Sequence, residues 1–226
     1  MEQYRSIAID GPAGAGKSTL ARRLAQALGY LYVDTGAIYR TVALAALRAG
    51  LDPADEAGVV PLLEGLDIQM GYGPDGVQHM CLGQEDVSEA IREHQVSGAA
   101  SKVSAIPAVR AFLLEYQRGL SCAHDIVMDG RDIGTVVLPQ ADVKIFLTAA
   151  PEARARRRLL ELEQKGQPAS FASILQDIQE RDRQDETRAV APLKRAEDAV
   201  LLDTTRLNLE ESLAALLAIV KERIPQ

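Results

Sequence analysis

The sequence predicts an α/β fold with a doubly wound parallel sheet, that is, a sheet covered by helices on both faces. Short, continuous apolar or β-branched runs recur along the chain, as is typical of parallel strands that are buried on both faces. Segments with helical periodicity separate these runs, which indicates right-handed crossover connections. A glycine-rich segment follows the first run and opens the first helix, and such a turn commonly binds phosphate.

Five apolar runs are predicted as the strands of this sheet. A helix is predicted from Lys17 to Leu28, and AIYRTVALAALRAG is predicted as a second helix that ends at Gly50. A C-terminal amphipathic helix is expected to begin at Asn208, whose side chain suits an N-cap. The five runs are SIAID at 6–10, LYVD at 31–34, DIVMD at 125–129, VKIFLTA at 143–149 and AVLLDTT at 199–205.

The middle of the chain has a different pattern. LDIQMGY and VQHMCLG are strand-like and flank GPDG, which is a turn signal. They predict a small antiparallel hairpin inserted at about 63–95. The core of the fold is then expected at 1–62, 96–150 and 190–226, and Arg-rich helices at about 151–189.

Composition excludes several classes of protein. The chain has 226 residues, of which 47% are apolar and 25% charged, and this composition is typical of a soluble globular protein with one α/β domain and an insertion. No apolar stretch predicts a membrane span, and MEQYRSIAID does not resemble a signal peptide. The only cysteines, Cys81 and Cys122, are far apart, which predicts neither a disulfide framework nor a zinc site and favours the cytoplasm.

The charge is distributed unevenly. The formal net charge of −7 argues against general nucleic-acid binding. Residues 151–195 nevertheless contain ten Lys and Arg against eight Asp and Glu, whereas the remainder contains 15 against 24. An acidic protein with one Arg-rich segment can hold a small anionic ligand there.

GPAGAGKST at 11–19 matches the phosphate-loop pattern in the context that the pattern requires, after a strand and before a helix. Glycine allows the backbone to approach phosphate closely, and the free N–H groups of a helix N-terminus bind phosphate oxygens. The motif therefore predicts a purine triphosphate with Mg²⁺, and the alternative is a glycine-rich turn without a ligand. The predicted triphosphate-binding residues are Gly11, Pro12, Ala13, Gly14, Ala15, Gly16, Lys17, Ser18 and Thr19, with Lys17 on the β- and γ-phosphates and Ser18 on Mg²⁺.

Polar residues also follow the second strand, in VDTGAIYR at 33–40. Ligands of open α/β sheets bind beyond the carboxyl ends of the strands, so Asp34, Thr35 and Arg40 are candidates for binding a phosphoryl acceptor. Asp34 and Thr35 could instead simply cap the next helix.

A second polar segment, MDGRDIG at 128–134, follows the third strand. Asp129 ends a Walker-B-like apolar run and is predicted to hold Mg²⁺ through water. Gly130 lets the chain turn, so that Arg131 and Asp132 are expected to point at the same crevice. The alternative for Arg131 and Asp132 is a surface turn.

RDRQDETR at 181–188 raises the question of whether its charges are solvated or belong to a site. Ser170 is a predicted N-cap, and Phe171, Ile174, Leu175 and Ile178 define an apolar stripe. If the helix continues to Arg188, the stripe includes Arg181, Asp185 and Arg188 but neither Arg183 nor Glu180. Buried charges need partners, which a nucleotide would supply. An internal network of Arg–Asp ion pairs is the alternative.

Taken together, these segments resemble the bacterial cytidylate kinases, a family of nucleoside monophosphate (NMP) kinases. The resemblance implies a five-stranded parallel sheet, a small inserted NMP-binding domain, a mobile helical lid, and transfer of the ATP γ-phosphoryl group to CMP or dCMP. It rests on IAIDGPAGAGKST, DTGAIYR, EDVSEAIR, GAASKVSAIPAVR, MDGRDIGTVV, VKIFLTA, RDRQDETR and VAPL.

The resemblance also implies roles for individual residues. Arg40, Arg131 and Arg188 would clamp the acceptor phosphate, and Ser101, Arg110 and Asp132 would recognise cytosine. Arg181 and Asp185 would contact the ribose, and Arg181 would also contact the transferring phosphoryl group. The lid would be 151–170, where Arg154, Arg157 and Arg158 could close over ATP or form a solvated basic face. The catalytic set would be Lys17, Arg131, Arg181 and Arg188.

Two other functions are compatible with the phosphate loop. One is another small-molecule P-loop kinase, and the other is a P-loop protein that senses nucleotide without turnover. Phosphoryl transfer needs positioning and charge neutralisation rather than a covalent catalyst, so no nucleophile is predicted. The expected partners are CMP or dCMP and ATP, with no nucleic acid and no membrane, and a monomer is expected because no apolar or heptad segment is left for an interface.

Overall fold

The structure, a computed structural model, describes residues 4–73, 76–164 and 166–224. The chain folds into two compact units, one that combines the segment up to Tyr32 with the segment from Ala123 onward, and one that comprises Val33–Cys122. Within the described ranges, each helix is too short or too polar to cross a bilayer. The strands are β1 Ser6–Asp10, β2 Leu31–Asp34, β3 Ile68–Tyr72, β4 Gln78–Leu82, β5 Glu85–Asp86, β6 Ile126–Gly130, β7 Val143–Thr148 and β8 Val200–Asp203. The helices are α1 Lys17–Leu28, α2 Thr35–Arg48, α3 Glu56–Leu63, α4 His94–Val103, α5 Pro107–Ser121, α6 Pro151–Gln164, α7 Phe171–Thr187 and α8 Leu209–Arg223.

A five-stranded parallel sheet has the strand order β2–β6–β1–β7–β8, and the predicted fold class is therefore confirmed. All five predicted runs form strands, with ends shifted by at most two residues. β1 lies in the centre, where Asp10 is in register with Gly130 on one side and with Phe146 on the other. The residues that follow β1 and β6 therefore leave the same edge of the sheet side by side.

Apolar packing holds the first unit together. α1 and α8 pack on β1 and β7 through a buried cluster that includes Ile7, Leu24, Ile145 and Leu216. The predicted N-cap of α8 is confirmed, because Asn208 accepts from the backbone N–H of Glu211 while the Glu211 carboxylate accepts from the N–H of Asn208. This rigid base fixes the ends of the strands that carry the polar residues.

α7 begins as predicted but ends earlier. Ser170 is its N-cap and accepts a hydrogen bond from the backbone N–H of Ser173. The helix stops at Thr187, and Arg188 has an extended backbone with φ of −60° and ψ of 142°. The expectation of an unbroken helix through Arg188 was therefore wrong, since the chain already turns there towards the segment that contains Pro192.

The second unit contains the predicted hairpin. β3 and β4 pair antiparallel with Met70 opposite Met80, and β5 extends this small sheet. In the predicted GPDG turn, the N–H of Gly76 donates to the carbonyl of Gly73, while Pro74 and Asp75 lie outside the described residues. The sheet lies within the predicted insert at 63–95, whose boundaries stay a prediction.

Candidate active site

The predicted phosphate loop turns tightly between β1 and α1. Gly11 has a φ of 151°, and a Cβ atom there would lie 1.9 Å from the carbonyl oxygen of Leu147. Gly16 is the N-cap of α1 with a φ of 88°. Only glycine adopts both conformations without strain. The loop thereby presents the N-terminus of α1, with its unpaired backbone N–H groups, to a ligand.

Lys17, the first residue of α1, is buried and its Nζ atom donates to the carbonyl of Pro12 at 2.8 Å. Burial and then the positive charge of Arg131 lower the pKa of Lys17 to about 7, although Asp129 and other carboxylates act in the opposite direction. Two cations that are buried near each other are unfavourable unless an anion joins them. A phosphate group is the anion that this loop suits.

Ser18 and Asp129, the two residues predicted to bind Mg²⁺, are in direct contact. The Ser18 hydroxyl donates to the Asp129 carboxylate at 2.9 Å, and the Tyr32 hydroxyl donates to the second carboxylate oxygen at 2.9 Å. Mg²⁺ prefers such oxygen ligands and usually takes only one or two from the protein, completing its shell with water and phosphates. The pair therefore fits a magnesium site in which Asp129 acts through water. Tyr32, which orients Asp129, was not anticipated from the sequence.

Arg131 is bound to Asp185. Its Nε atom donates to the carboxylate at 2.7 Å, and both side chains are largely buried. Burial would raise the pKa of Asp185, but the charge and hydrogen bond of Arg131, followed by the charges of Arg181 and Arg188, lower it below its ordinary value. Asp185 therefore stays ionised and holds these arginines in the interior.

Arg188 lies just beyond the end of α7 and points back into the same cluster. Its guanidinium donates to Asp132 at 3.3 Å and to the carbonyl of Ala191 at 2.6 Å, and one of its nitrogens lies 4.0 Å from Asp185. Only 8% of its side chain is exposed. The predicted phosphate clamp and the predicted cytosine-recognising carboxylate are therefore in direct contact.

The two faces of α7 show which charges of RDRQDETR are solvated and which are buried. Arg183 is exposed and pairs with Glu180 one turn earlier, as a solvated face would. Arg181 is partly buried and acts electrostatically on the buried Asp185. On the predicted stripe, the buried Asp185 thus lies 4.0 Å from Arg188, as the alternative of an internal network also predicted.

In the second unit, Asp34 and Arg40 form a pair at the start of α2. Asp34 caps the helix through the N–H of Ala37 and accepts from Arg40 at 2.9 Å. A Cβ atom on Gly36 would lie 3.0 Å from both side chains, so glycine leaves room for the pair. The Nε atom of Arg40 is buried and donates no hydrogen bond.

Thr35 and Gln78 lie at the same end of the second unit as Asp34. Thr35, the first residue of α2, is buried. Gln78 on β4 exchanges hydrogen bonds with the backbone N–H and carbonyl of Asp34, so it fixes the end of β2. Gln78 was missed from the sequence, although a polar residue in a strand that is otherwise half-buried is a signal.

Arg110 on α5 is buried and donates to the carbonyl of Ser104 at 3.3 Å. Its guanidinium carbon lies 5.6 Å from the ring centre of Tyr39, within the range of a cation–π interaction. Ser101 lies on α4, and its carbonyl accepts from the Ser104 hydroxyl. Ser104 thus links Arg110 to the turn of helix that carries Ser101. The contact of Tyr39 with Arg110 was not predicted from the sequence.

Two of the predicted lid arginines, Arg157 and Arg158, differ in their hydrogen-bond partners. Arg157 donates to the carbonyl oxygens of Thr204 and Leu207, beyond β8. Arg158 is exposed and pairs with Glu161 one turn later. In this conformation, the two guanidinium groups therefore bind protein groups away from the phosphate loop.

Asp10, the last residue of β1, was also missed. Its buried carboxylate accepts from the backbone N–H groups of Ile133 and Gly134, both at 2.8 Å. Burial raises its pKa to about 6 even though these hydrogen bonds act in the opposite direction. An acidic residue that ends an apolar run directly before the glycine loop was the available signal.

The fold and this loop place the chain among the P-loop nucleotide-binding proteins, in which a phosphate loop joins a central parallel strand to a helix. The sequence model of the family "Cytidylate kinase" matches residues 7–222, and the chain belongs to this family. The cytidylate kinase of Carboxydothermus hydrogenoformans is 52% identical over 95% of this chain and 96% of its own length. That of Aliivibrio salmonicida is 49% identical over 96% and 97%, respectively.

Solved structures add a comparison of the fold alone. An uncharacterised protein from Eubacterium ventriosum ATCC 27560 aligns over 98% of this chain and 100% of its own with a TM-score of 0.53. Its sequence identity is only 12%, so the likeness concerns the path of the chain and not the ligand.

Proposed function

We propose that this protein transfers the γ-phosphoryl group of ATP to CMP or dCMP, giving ADP and CDP or dCDP. The observation that carries the proposal is the burial of Lys17 close to Arg131, which lowers the pKa of the lysine. A polyphosphate turns this repulsion into attraction for both cations at once. Membership in the cytidylate kinase family supports the choice of CMP as the acceptor.

The phosphate loop is proposed to bind the donor. Backbone N–H groups from Ala13 to Thr19 would hold the β-phosphate, and Lys17 would follow the γ-phosphoryl group as its negative charge spreads. Mg²⁺, when bound beside Ser18 and Asp129, would neutralise charge on the β- and γ-oxygens. The Tyr32 hydroxyl would keep Asp129 oriented for this task.

Arg131 and Arg188 are proposed to bind the acceptor phosphate. In the structure, their charges are balanced by Asp185 and Asp132. A phosphate group carries up to two negative charges, against one on a carboxylate, and can take two parallel hydrogen bonds from an arginine fork. Asp185 would then lose part of its pairing with these arginines and could accept a hydrogen bond from a ribose hydroxyl.

Within the second unit, Arg40 is also proposed to bind the acceptor phosphate. Asp34 holds its guanidinium from one side, while its buried Nε atom has a hydrogen left to donate. A buried donor without an acceptor is costly, and a phosphate oxygen would remove that cost. Thr35 would place its polar atoms at the same end of α2.

Ser101, Arg110 and Asp132 are proposed to recognise cytosine. Cytosine presents an amino donor at C4 and an acceptor at N3, whereas uracil presents the opposite pattern. Ser101 and Asp132 can accept from the amino group, and Arg110 can donate to N3. The stacking of Arg110 on Tyr39 would keep its guanidinium in place.

The segment 151–170, which contains α6, is proposed to act as a lid, with Arg157 and Arg158 moving towards ATP when it binds. Exclusion of water matters because water competes with CMP as the acceptor. The inserted segment at 63–95 is proposed to bind the monophosphate. The free cysteines Cys81 and Cys122 suit the proposed location in the cytoplasm, and the enzyme is proposed to work as a monomer.

An acceptor panel tests the proposal. Purified protein is incubated with ATP and Mg²⁺ and with one of CMP, dCMP, UMP or AMP, and the products are separated by chromatography. CDP or dCDP as the main product supports the proposal. A different phosphorylated product would make the protein another small-molecule kinase, and no product in any mixture would favour a nucleotide sensor.

A further inference from the structure

Arg154 lies in the first turn of α6 and is a buried arginine whose three side-chain nitrogen atoms each donate a hydrogen bond. Only 3% of its side chain is exposed. The guanidinium joins three segments that are distant in sequence. It donates to the carbonyl of Ala149 at the end of β7 (2.8 Å), to the carbonyl of Ala13 in the phosphate loop (2.8 Å), and through two nitrogens to both carboxylate oxygens of Asp182 on α7 (2.6 and 3.0 Å).

Asp182 continues the row of residues with which α7 packs against α6. Asp182 follows Ile174 and Ile178 at intervals of four residues, and both isoleucines pack with Ala155 in the seam between α6 and α7. Its neighbours along the helix are Arg181 and, one turn later, Asp185. The Arg154–Asp182 pair thus closes the seam at the end nearest the phosphate loop.

We infer that Arg154 is a positioning residue that, through Asp182, ties α7 to the phosphate loop and so sets the distance between the ATP phosphates and Arg181. The inference rests on the proposed role of Arg181 at the transferring phosphoryl group. Arg154 would not touch either nucleotide, because its donors are directed at Ala13, Ala149 and Asp182.

The chemistry of the contact explains why arginine and aspartate are needed. The planar fork of arginine matches both oxygens of a carboxylate and still has nitrogens for two carbonyl groups, whereas lysine is a point charge with no such geometry. A guanidinium that binds the backbone of Ala13 also restrains the loop itself. Weakening the Arg154–Asp182 ion pair should therefore increase the motion of the phosphate loop, although Ala13 and Asp182 are far apart in the sequence.

The test compares Asp182→Asn with Glu180→Gln. Both remove one negative charge from α7, but Glu180 is exposed and pairs only with groups on its own helix. Hydrogen exchange of the peptide that covers residues 11–19 is followed by mass spectrometry, and kcat and both KM values are measured well below the melting temperature. Arg154→Lys is the second variant, for use if Asp182→Asn does not fold.

We expect faster exchange in residues 11–19 and a kcat lower by about tenfold or more in Asp182→Asn, since small misplacements of reacting groups are costly. Glu180→Gln should match the wild type in both. Unchanged exchange in the loop overturns the inference, and so does a kcat within twofold of wild type. The kinetic measurement uses whichever acceptor the wild-type enzyme phosphorylates, so an error in the choice of CMP would not affect this result.

Discussion

The carboxylate of Asp132 accepts a hydrogen bond from the guanidinium of Arg188 at 3.3 Å, and both side chains are more than nine-tenths buried. One of these residues is proposed to recognise the base and the other to bind the phosphate of the same nucleotide. Neither can change partner without affecting the other, so recognition of the base and of the phosphate should be coupled.

Lys17→Ala removes the charge that would follow the transferring phosphoryl group. A single preorganised donor of this kind is worth about 10²–10³ in kcat, and we expect a loss of at least that size. Lys221→Ala on the exposed face of α8 serves as the control. Near-normal turnover of the Lys17 variant would disprove the assignment of the phosphate loop.

Binding of ADP at pH 8 should take up close to one proton. With a pKa of about 7, Lys17 is mostly neutral at pH 8 in the free protein. Phosphate oxygens favour the charged form, so its pKa should return towards the ordinary lysine value of 10.5 on binding, and close to one proton should enter. Calorimetry in buffers of different ionisation enthalpy measures this uptake. Lys17→Arg, which is always charged, should abolish it, whereas absence of uptake in the wild type would refute the lowered pKa.

Arg188→Lys keeps the charge but loses the planar fork. Hydrogen bonds to charged groups contribute about 1.5–3 kcal/mol, so kcat/KM for CMP should fall roughly 10- to 100-fold while the affinity for ATP changes little. The matched control is Arg183→Lys, which alters an exposed arginine of α7. Equal damage to the parameters for both substrates would assign Arg188 to a purely structural network.

The choice of base should depend on Ser101 and Asp132. Unpaired buried polar groups cost about 1–3 kcal/mol each, which is enough for about tenfold discrimination per contact. Ser101→Ala and Asp132→Asn should therefore lower the ratio of kcat/KM for CMP to that for UMP, mainly through slower use of CMP. A ratio that stays at the wild-type value in both variants would show that neither residue recognises the base.

Local patterns predicted most of the fold, and tertiary contacts account for what was missed. α1 has the predicted bounds because a glycine loop and a helix-forming segment meet at Lys17. The contact between Arg154 and Asp182 depends on how α6 packs on α7, although the four-residue spacing from Ile178 to Asp182 was a usable signal. The end of α7 was misplaced because helical periodicity does not reveal that Arg188 leaves the helix to reach Asp132.

The buried cations are proposed to serve phosphoryl transfer from ATP to CMP. The most direct test is the initial rate of ADP formation by the wild-type protein with Mg·ATP, measured with and without CMP. We expect slow ADP formation without CMP and, with CMP, a large rise in the initial rate with one CDP formed for each ADP. ADP formation that is unaffected by CMP, or no ADP formation in either mixture, would contradict this proposal.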